Sequence, residues 1–310
     1  MKTLLTFCFY FILSSSVLGQ ESYVIPSGGA KLYVKLYPRT GSETIIFLHG
    51  GPGAPAEFSD EINYVKDHYQ VINLDQRGAG NSTCEGCEYT IDEYTDDILA
   101  IMDYFDLEKI HLFGHSWGGL YAQLFMEKYP EKVSSVFLSS PSSGTGAQWS
   151  ETKREVMLFN KEKCTPKEWR RMGINSLLSG LGSDRAMGRL YVQVIKNYNK
   201  GHVEVDEFDA KSVSFEKAKG KSTHKTIVNI KKAELLRGLE NPEFPILISY
   251  GDDDIYGETN QYVIERYPTA EVVFIPNCGH LPTVHNPEFY WRLFDRFYNL
   301  SGDSIAENAK

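Results

Sequence analysis

Long hydrophobic runs are absent from this chain after its first 19 residues. This excludes a protein built from several membrane-spanning helices, each of which needs about 20 apolar residues in a row. Internal repeats and low-complexity tracts are absent too, so a repeat array is not expected. The chain also has no excess of positive charge, because its formal net charge is −9, and this argues against a nucleic-acid partner.

Cysteine is scarce, with five in 310 residues. Besides Cys8, near the N-terminus, they are Cys84, Cys87, Cys164 and Cys278, which allow three pairings that the sequence does not decide between. The Cys84–Cys87 pair is close enough to close a small loop, but it lacks the strand-then-helix context of a thioredoxin-like redox motif. No second close pair lies nearby, so we expect no metal site.

The first 19 residues have the layout of a secretion signal. Lys2 is followed by an apolar stretch over positions 4–13 and by small residues up to Gly19. The stretch is too short to span a bilayer, so we predict a cleaved signal peptide over 1–19 and a secreted or periplasmic protein. The remaining length suits one large α/β domain with an insertion.

Residues 114–119 read Gly-His-Ser-Trp-Gly-Gly and stand between an apolar run and a helical pattern. A G-x-S-x-G sequence between a strand and a helix is a nucleophile elbow, in which a tight turn pushes the serine hydroxyl out of the sheet. The crowding of this turn requires glycine at 114 and 118. Ser116 is therefore the candidate nucleophile, and the helix that follows directs its N-terminal N–H groups towards developing negative charge.

Strand-like runs alternate with helical patterns along most of the chain, and this predicts an α/β fold with a doubly wound, mainly parallel sheet. A capping box at Thr90 and Glu93 is expected to open one of the helices. The predicted strands cover positions 31–37, 44–48, 69–74, 109–113, 132–139, 244–250 and 271–276, and a closing helix covers 287–300.

The alternation stops at Pro141 and resumes at Phe244, with helical patterns between them. We therefore predict an α/β-hydrolase core over 20–140 and 241–310 and a helical cap over 141–240. The cap carries 19 basic and 12 acidic residues, whereas the rest of the chain after residue 19 carries 12 basic and 29 acidic. Two interpretations stay open: a solvated basic surface, or a positive roof that attracts an anionic substrate.

An acid and a histidine follow the last two predicted strands. In this fold the triad partners come in the order serine, acid, histidine, and the carboxyl ends of the strands gather the reacting groups. Residues 251–254 read Gly-Asp-Asp-Asp, and His280 follows the next strand. His280 is the candidate general base. Three consecutive aspartates are candidates for the acid.

A glycine-rich loop at 49–53, His-Gly-Gly-Pro-Gly, follows the predicted strand 44–48. In this architecture that loop supplies the second N–H of the oxyanion hole. Gly51 is the candidate donor, paired with the N–H of Trp117. The alternative for the loop alone is a tight turn without a ligand.

Three segments together resemble the proline iminopeptidase family of α/β-hydrolases: 49–53, 75–82 (Asp-Gln-Arg-Gly-Ala-Gly-Asn-Ser) and 114–119. The resemblance covers about half of the chain. It implies a serine peptidase in which Ser116 attacks the carbonyl of an N-terminal residue, and its G-x-x-D pattern selects Asp254 as the acid. It further implies that Gly51 and Trp117 stabilise the oxyanion and that Arg77 ties its loop together.

The predicted function is a secreted serine hydrolase that cleaves N-terminal residues from small peptides through an acyl-enzyme, without a cofactor or a metal. Substrate-binding residues are not fixed by the sequence. Glu204 and Glu207 are guesses from composition for carboxylates that hold an α-amine. Since the segment 141–240 lacks the family's W-x-x-W-E pattern, an esterase or amidase on small acyl substrates stays an alternative, as does a non-catalytic binding protein on a hydrolase scaffold.

Overall fold

The computed structural model describes residues 19–56, 58–203 and 217–300. The predicted signal peptide, apart from Gly19, lies outside these ranges, as do the cap acids Glu204 and Glu207. Within these ranges, no helix combines the length and the apolar character that crossing a membrane requires.

A nine-stranded sheet forms the centre of the molecule. Its strands are β1 (Glu21–Ser27), β2 (Ala30–Tyr37), β3 (Thr44–Leu48), β4 (Gln70–Asp75), β5 (Thr83–Cys84), β6 (Ile110–His115), β7 (Val133–Ser139), β8 (Ile246–Gly251) and β9 (Glu271–Ile275). The order is β1-β2-β4-β3-β6-β7-β8-β9, and β5 pairs with β2. From β4 to β9 all neighbours are parallel, whereas β1, β2 and β5 pair antiparallel. The predicted mainly parallel sheet is confirmed.

Helices cover both faces of this sheet, as doubly wound folds require. They are α1 (Ser59–Val65), α2 (Ile91–Tyr104), α3 (Trp117–Lys128), α4 (Gly146–Lys163), α5 (Pro166–Gly180), α6 (Asp184–Asn199), α7 (Gly220–Lys232), α8 (Gln261–Arg266), α9 (Pro282–His285) and α10 (Pro287–Tyr298). Ile46 and Leu48 of β3 pack with α2 and α3, whereas Phe47 packs with α1 and α10. Because both faces are covered, all five residues of β3 are buried.

The capping box predicted at the start of α2 is present. Thr90 accepts the backbone N–H of Glu93 at 3.2 Å, and the Glu93 carboxylate accepts the N–H of Thr90 at 2.8 Å. These bonds satisfy two of the N–H groups that a helix start leaves without partners. The helix then buries the apolar side that the sequence predicted, with Tyr94, Ile98, Ile101 and Met102 in the core.

Between β7 and β8 the described residues form four helices, α4 to α7. This insertion lies where the sequence predicted a helical cap. The strand before it, β7, ends beside the nucleophile elbow, because His115 and Ser139 are neighbours in the parallel ladder of β6 and β7. The cap is therefore attached at the edge of the sheet where the carboxyl ends of the strands meet.

One disulfide joins Cys84 to Cys87, and Cys164 and Cys278 are unbonded. The pair closes the small loop after β5 that the sequence allowed. The structure also contains a strand that the sequence did not predict, β1, in which Val24 is exposed and Pro26 interrupts the apolar pattern. An edge strand tolerates a proline because one row of its N–H groups has no ladder partner.

Candidate active site

Ser116 sits at the turn between β6 and α3 with φ 56° and ψ −118°. A serine rarely adopts this backbone conformation, which costs energy and is typical of functional turns. A Cβ added at Gly114 would lie 2.4 Å from the carbonyl oxygen of Gly118, as the crowded turn predicts. A Cβ at Gly118 would lie 1.8 Å from the carbonyl oxygen of Leu48 in β3. The neighbouring strand β3 therefore also requires glycine at position 118, two residues after the serine.

The structure brings Asp254 and His280 together at the ends of β8 and β9. Asp254 Oδ1 lies 3.0 Å from His280 Nδ1, and each side chain is 1% exposed. Ser140 Oγ donates to Asp254 Oδ2 at 2.6 Å, and the backbone N–H of Tyr256 donates to Oδ1 at 3.3 Å. Nδ1 of His280 is thus held by the carboxylate, which leaves Nε2 as the ring nitrogen available for a proton.

The carboxyl group of Asp254 is ionised in this setting. Burial raises its pKa, but the charge of His280 and hydrogen bonds from His280, Ser140 and the N–H of Tyr256 outweigh burial and hold the pKa below its ordinary value. A buried carboxylate with these donors fixes the orientation of the imidazole and stabilises its protonated form.

A phenol contacts both the serine and the histidine. Tyr256 OH is 3.2 Å from Ser116 Oγ and 2.7 Å from Ser142 Oγ, and its ring meets the His280 ring edge-on at 5.2 Å between centroids. Burial raises the pKa of Tyr256 to about 12, so the phenol is neutral. Across the described ranges, no hydrogen bond joins Ser116 to His280. In the absence of substrate, hydrogen bonds of catalytic groups are often long or misaligned.

The other two aspartates of the run have different surroundings. Asp252 accepts the backbone N–H groups of Asn277 and Cys278 at 2.9 and 3.0 Å, so it ties the loop after β8 to the loop after β9. The side chain of Asp253 is 64% exposed and lies 3.4 Å from His202. Of the three aspartates, Asp254 is the one whose carboxylate contacts the His280 ring.

Two backbone segments meet at Ser116 where the sequence predicted an oxyanion hole. Trp117 is the first residue of α3, so its N–H has no partner within the helix. In the loop after β3, a Cβ at Gly50 would lie 3.1 Å from Ser116 Cβ, and Gly51 follows with φ +62°. The structure thus brings both predicted donor segments to the same serine.

Cap helix α6 covers this site with two tyrosines. The Tyr198 ring lies 4.8 Å from the His280 ring, and Tyr191 OH donates to the carbonyl oxygen of Pro52 at 2.9 Å. A Cβ at Gly51 would come within 2.9 Å of Tyr191 OH. The roof over the serine is therefore aromatic and close.

Sequence reasoning missed five site residues: Ser140, Ser142, Tyr191, Tyr198 and Tyr256. Ser140 and Ser142 follow β7, the strand next to the elbow, and this placement is a signal that they line the site. Tyr256 lies two residues after Asp254, in the loop that follows β8, and its position after a strand of the sheet is the same kind of signal. No comparable signal marks the two tyrosines of α6, because a cap helix has no fixed register over the sheet.

Two further residues of the sequence motifs are His115, which lies next to His280, and Arg77, which lies in the 75–82 loop. The His115 ring lies 4.9 Å from the His280 ring, and burial lowers its pKa to about 3, so it is neutral. Arg77 donates to both carboxylate oxygens of Asp97 at 2.8 and 2.7 Å and to the carbonyl oxygen of Glu93. Arg77 thereby ties the 75–82 loop to α2, whereas the resemblance implied only that Arg77 ties its own loop together.

A cleft of about 410 Å³ opens beside Asp254 between α4 and the loop after β8. Three cap carboxylates line it: Glu151, Glu155 and Glu162. Glu151 accepts a bond from Tyr262 OH, and Glu155 accepts the N–H groups of Glu258 and Thr259. Arg154 also lines the cleft, which therefore carries several charged side chains beside Asp254.

Within the part of the chain that the structure describes, no group of three or more His, Cys, Asp or Glu side chains is arranged to hold a metal ion.

The chain belongs to the α/β-hydrolase fold family, whose sequence profile matches residues 43–287. Fold, family and elbow together define a hydrolase. The chain is similar to the proline iminopeptidase of Lactobacillus delbrueckii subsp. bulgaricus, at 26% identity over 88% of this chain and 95% of that protein. It is also similar to the proline iminopeptidase of Clostridioides difficile (strain 630), at 23% identity over 91% and 98%.

Solved structures share the fold. Naproxen esterase (carboxylesterase NP) from Bacillus subtilis superposes with a TM-score of 0.58 at 17% identity, covering 91% of this chain and 92% of that one. MGS-M2, an alpha/beta hydrolase enzyme from a deep-sea metagenome library, superposes with a TM-score of 0.68 at 16% identity, covering 93% and 100%. At these identities the likeness concerns the fold alone.

Proposed function

We propose that this hydrolase is an aminopeptidase of the proline iminopeptidase type, which removes N-terminal residues from small peptides. The observation that carries the proposal is the similarity to proline iminopeptidases over 88% of the chain. The cap carboxylates beside Asp254 support it, because an aminopeptidase must hold a protonated α-amine, which titrates near 8.

In the proposed reaction, Ser116 Oγ attacks the carbonyl carbon of the N-terminal residue while His280 Nε2 takes the serine proton. Turning Oγ from Tyr256 to His280 precedes this step. The oxyanion is stabilised by the N–H groups of Gly51 and Trp117. His280 then gives its proton to the leaving amine, and water hydrolyses the acyl-enzyme by the same route, with Asp254 stabilising the imidazolium.

The proposal is tested with matched substrates, prolyl p-nitroanilide and its N-acetylated form. Because the carboxylates of the cleft would hold the free amine, we expect the acetylated form to be hydrolysed much more slowly. Glu162→Gln should raise KM for the free amine, whereas the exposed control Glu108→Gln, at the opposite edge of the sheet, should leave KM unchanged. Equal turnover of both substrates would refute the peptidase assignment.

An esterase or amidase on small acyl substrates is the second candidate. The observation that favours it is the basic balance of residues 141–240, with 19 basic and 12 acidic residues, which does not favour a cationic substrate. In that case the turnover rate of a p-nitrophenyl ester without an amine would equal or exceed that of prolyl p-nitroanilide.

We further propose that the protein is secreted or periplasmic. The layout of residues 1–19 supports this, as does the Cys84–Cys87 disulfide, since disulfides persist in oxidising compartments. Mass spectrometry of the protein purified from its own host should find an N-terminus at Gln20. An intact Met1 with both cysteines reduced would contradict the proposal.

A further inference from the structure

Cap helix α5 turns apolar side chains towards solvent. Ile174, Leu177, Leu178 and Leu181 are 53%, 67%, 43% and 78% exposed. They recur at i, i+3, i+4 and i+7, with Leu181 at the C-cap, so they form one stripe along the end of the helix. The buried side of the same helix carries Met172 and Ser179 instead. A surface helix normally buries its apolar stripe, and an exposed one marks an interaction surface.

Basic side chains lie near this stripe, with Arg170 and Arg171 one turn before Ile174 and Arg189 in the same groove as Ile174. Arg170 and Arg171 are exposed on α5, and Arg185 and Arg189 are exposed on α6. None of these four arginines forms an ion pair within the described residues. The nearest acids of the two helices have other partners, because Glu168 pairs with Lys200 at 3.4 Å and Asp184 pairs with Lys219 at 3.1 Å. Among residues 19–56, 58–203 and 217–300, no carboxylate therefore neutralises the positive charge of this surface.

A groove of about 490 Å³ lies between α5 and α6. Arg171 and Arg189 line it together with Ile174, which belongs to the apolar stripe. Guanidinium groups bind phosphate and carboxylate through paired hydrogen bonds. The groove thus offers cationic donors to an anionic headgroup directly beside an apolar surface for acyl chains.

We propose that this surface, the stripe 174–181 with the four nearby arginines, docks on an anionic lipid bilayer. An apolar helix face bordered by arginines is the pattern of helices that lie in the membrane interface. Each basic residue near an anionic leaflet adds attraction. The rest of the chain after residue 19, with 12 basic and 29 acidic residues outside 141–240, is repelled by the same leaflet and orients the cap towards it.

Charge argues for a bilayer over a second copy of the chain. A two-fold symmetric dimer through this surface would place the four arginines of one copy close to those of the other. Like charges across an interface are unfavourable. An anionic bilayer accepts the arginines and the leucines at once.

Flotation of the full chain with vesicles tests this proposal. We expect binding to vesicles of phosphatidylcholine with phosphatidylserine, little binding to phosphatidylcholine alone, and release by salt. Arg171→Gln with Arg189→Gln should weaken binding about 25-fold, at about fivefold for each arginine. Leu177→Ser with Leu181→Ser should weaken it by about tenfold or more.

Two control variants match these changes elsewhere on the surface. Lys109→Gln with Lys132→Gln removes two charges at the amino ends of β6 and β7, opposite the cap, and Val24→Ser removes an exposed apolar side chain from β1. Both should bind the vesicles like wild type. All variants should hydrolyse a soluble substrate at the wild-type rate, which shows that they are folded.

Three outcomes would overturn the proposal. The first is wild-type protein that does not bind phosphatidylserine vesicles at low salt. The second is full binding by both the arginine and the leucine variants. The third is a dimer, seen by sedimentation without lipid, that the leucine variant abolishes while no form binds vesicles, since the surface would then serve a second copy of the chain.

Discussion

Asp254 Oδ1 lies 3.0 Å from His280 Nδ1, between two loops that follow neighbouring parallel strands. The pairing selects one aspartate from three consecutive ones. Asp252 holds backbone N–H groups and Asp253 faces solvent, so their side chains have different tasks although the sequence gives them the same chemistry.

Replacing these aspartates should separate their roles. Asp254→Ala removes the group that fixes the imidazole, and we expect turnover to fall by about 10⁴-fold. Asp253→Ala is the matched control, because its side chain is 64% exposed, and turnover should stay within about threefold of wild type. Steady-state kinetics on a chromogenic substrate measure both. Equal losses in the two variants would remove Asp254 from its proposed role.

Removing one partner of the buried ion pair between Arg77 and Asp97 should destabilise the fold strongly. Both side chains are fully buried, and Asp97→Ala leaves the guanidinium with Glu93, at 3.0 Å, as its remaining counter-charge among the described residues. We expect the free energy of unfolding to fall by about 3 kcal/mol. Asp96→Ala on the same helix is the control, since its side chain is 58% exposed, and it should change stability by about 0.5 kcal/mol or less. Urea unfolding measures both. An exposed ion pair contributes about 1 kcal/mol or less. A loss below about 1 kcal/mol for Asp97→Ala would therefore mean that the buried pair behaves like an exposed one, and would contradict this account.

Acid should destabilise the fold through His115. Burial lowers its pKa to about 3, whereas an unfolded histidine titrates near 6.5. Between these values the unfolded chain binds the proton and the folded chain does not, so stability falls as the pH falls below about 6.5. The same sign applies to His285, whose pKa burial lowers to about 4.

A variant isolates this contribution. Between about pH 7 and about pH 5, His115→Asn should lose about 2 kcal/mol less stability than wild type. The exposed His224→Asn should show the wild-type pH dependence. If the stability of His115→Asn and of wild type fell equally over this range, the burial argument for His115 would be wrong.

The sheet was predictable because its strands are marked by local sequence. The run 45–48 is apolar throughout because helices cover both faces of the sheet. Gly114 is required by the crowded turn and Gly118 by the neighbouring strand β3. The order of serine, acid and histidine is that of the elbow's fold type, whereas the choice of Asp254 among three aspartates rested on the family's G-x-x-D pattern. The strand β1 escaped prediction because an edge strand needs no alternating apolar pattern, and Pro26 interrupts what pattern there is.

The roof of the site was not predictable from the sequence. Tyr191 and Tyr198 reach it only because α6 packs over the elbow in one particular register. That register depends on contacts between distant residues, and no spacing rule fixes it. Tyr256 is intermediate, since its position after Asp254 was visible but its bond to Ser116 depends on a side-chain rotamer.

Ser116 is the proposed nucleophile of this hydrolase, and covalent labelling tests that role most directly. The protein is treated with an active-site serine phosphonate and digested, and the modified residue is located by mass spectrometry. We expect one label, on Ser116, with parallel loss of activity. Ser116→Ala should fold normally, take up no label and lose turnover by about 10⁴-fold or more, whereas the exposed cap variant Ser176→Ala should behave like wild type. A label on another residue, or turnover by Ser116→Ala within about tenfold of wild type, would contradict the account.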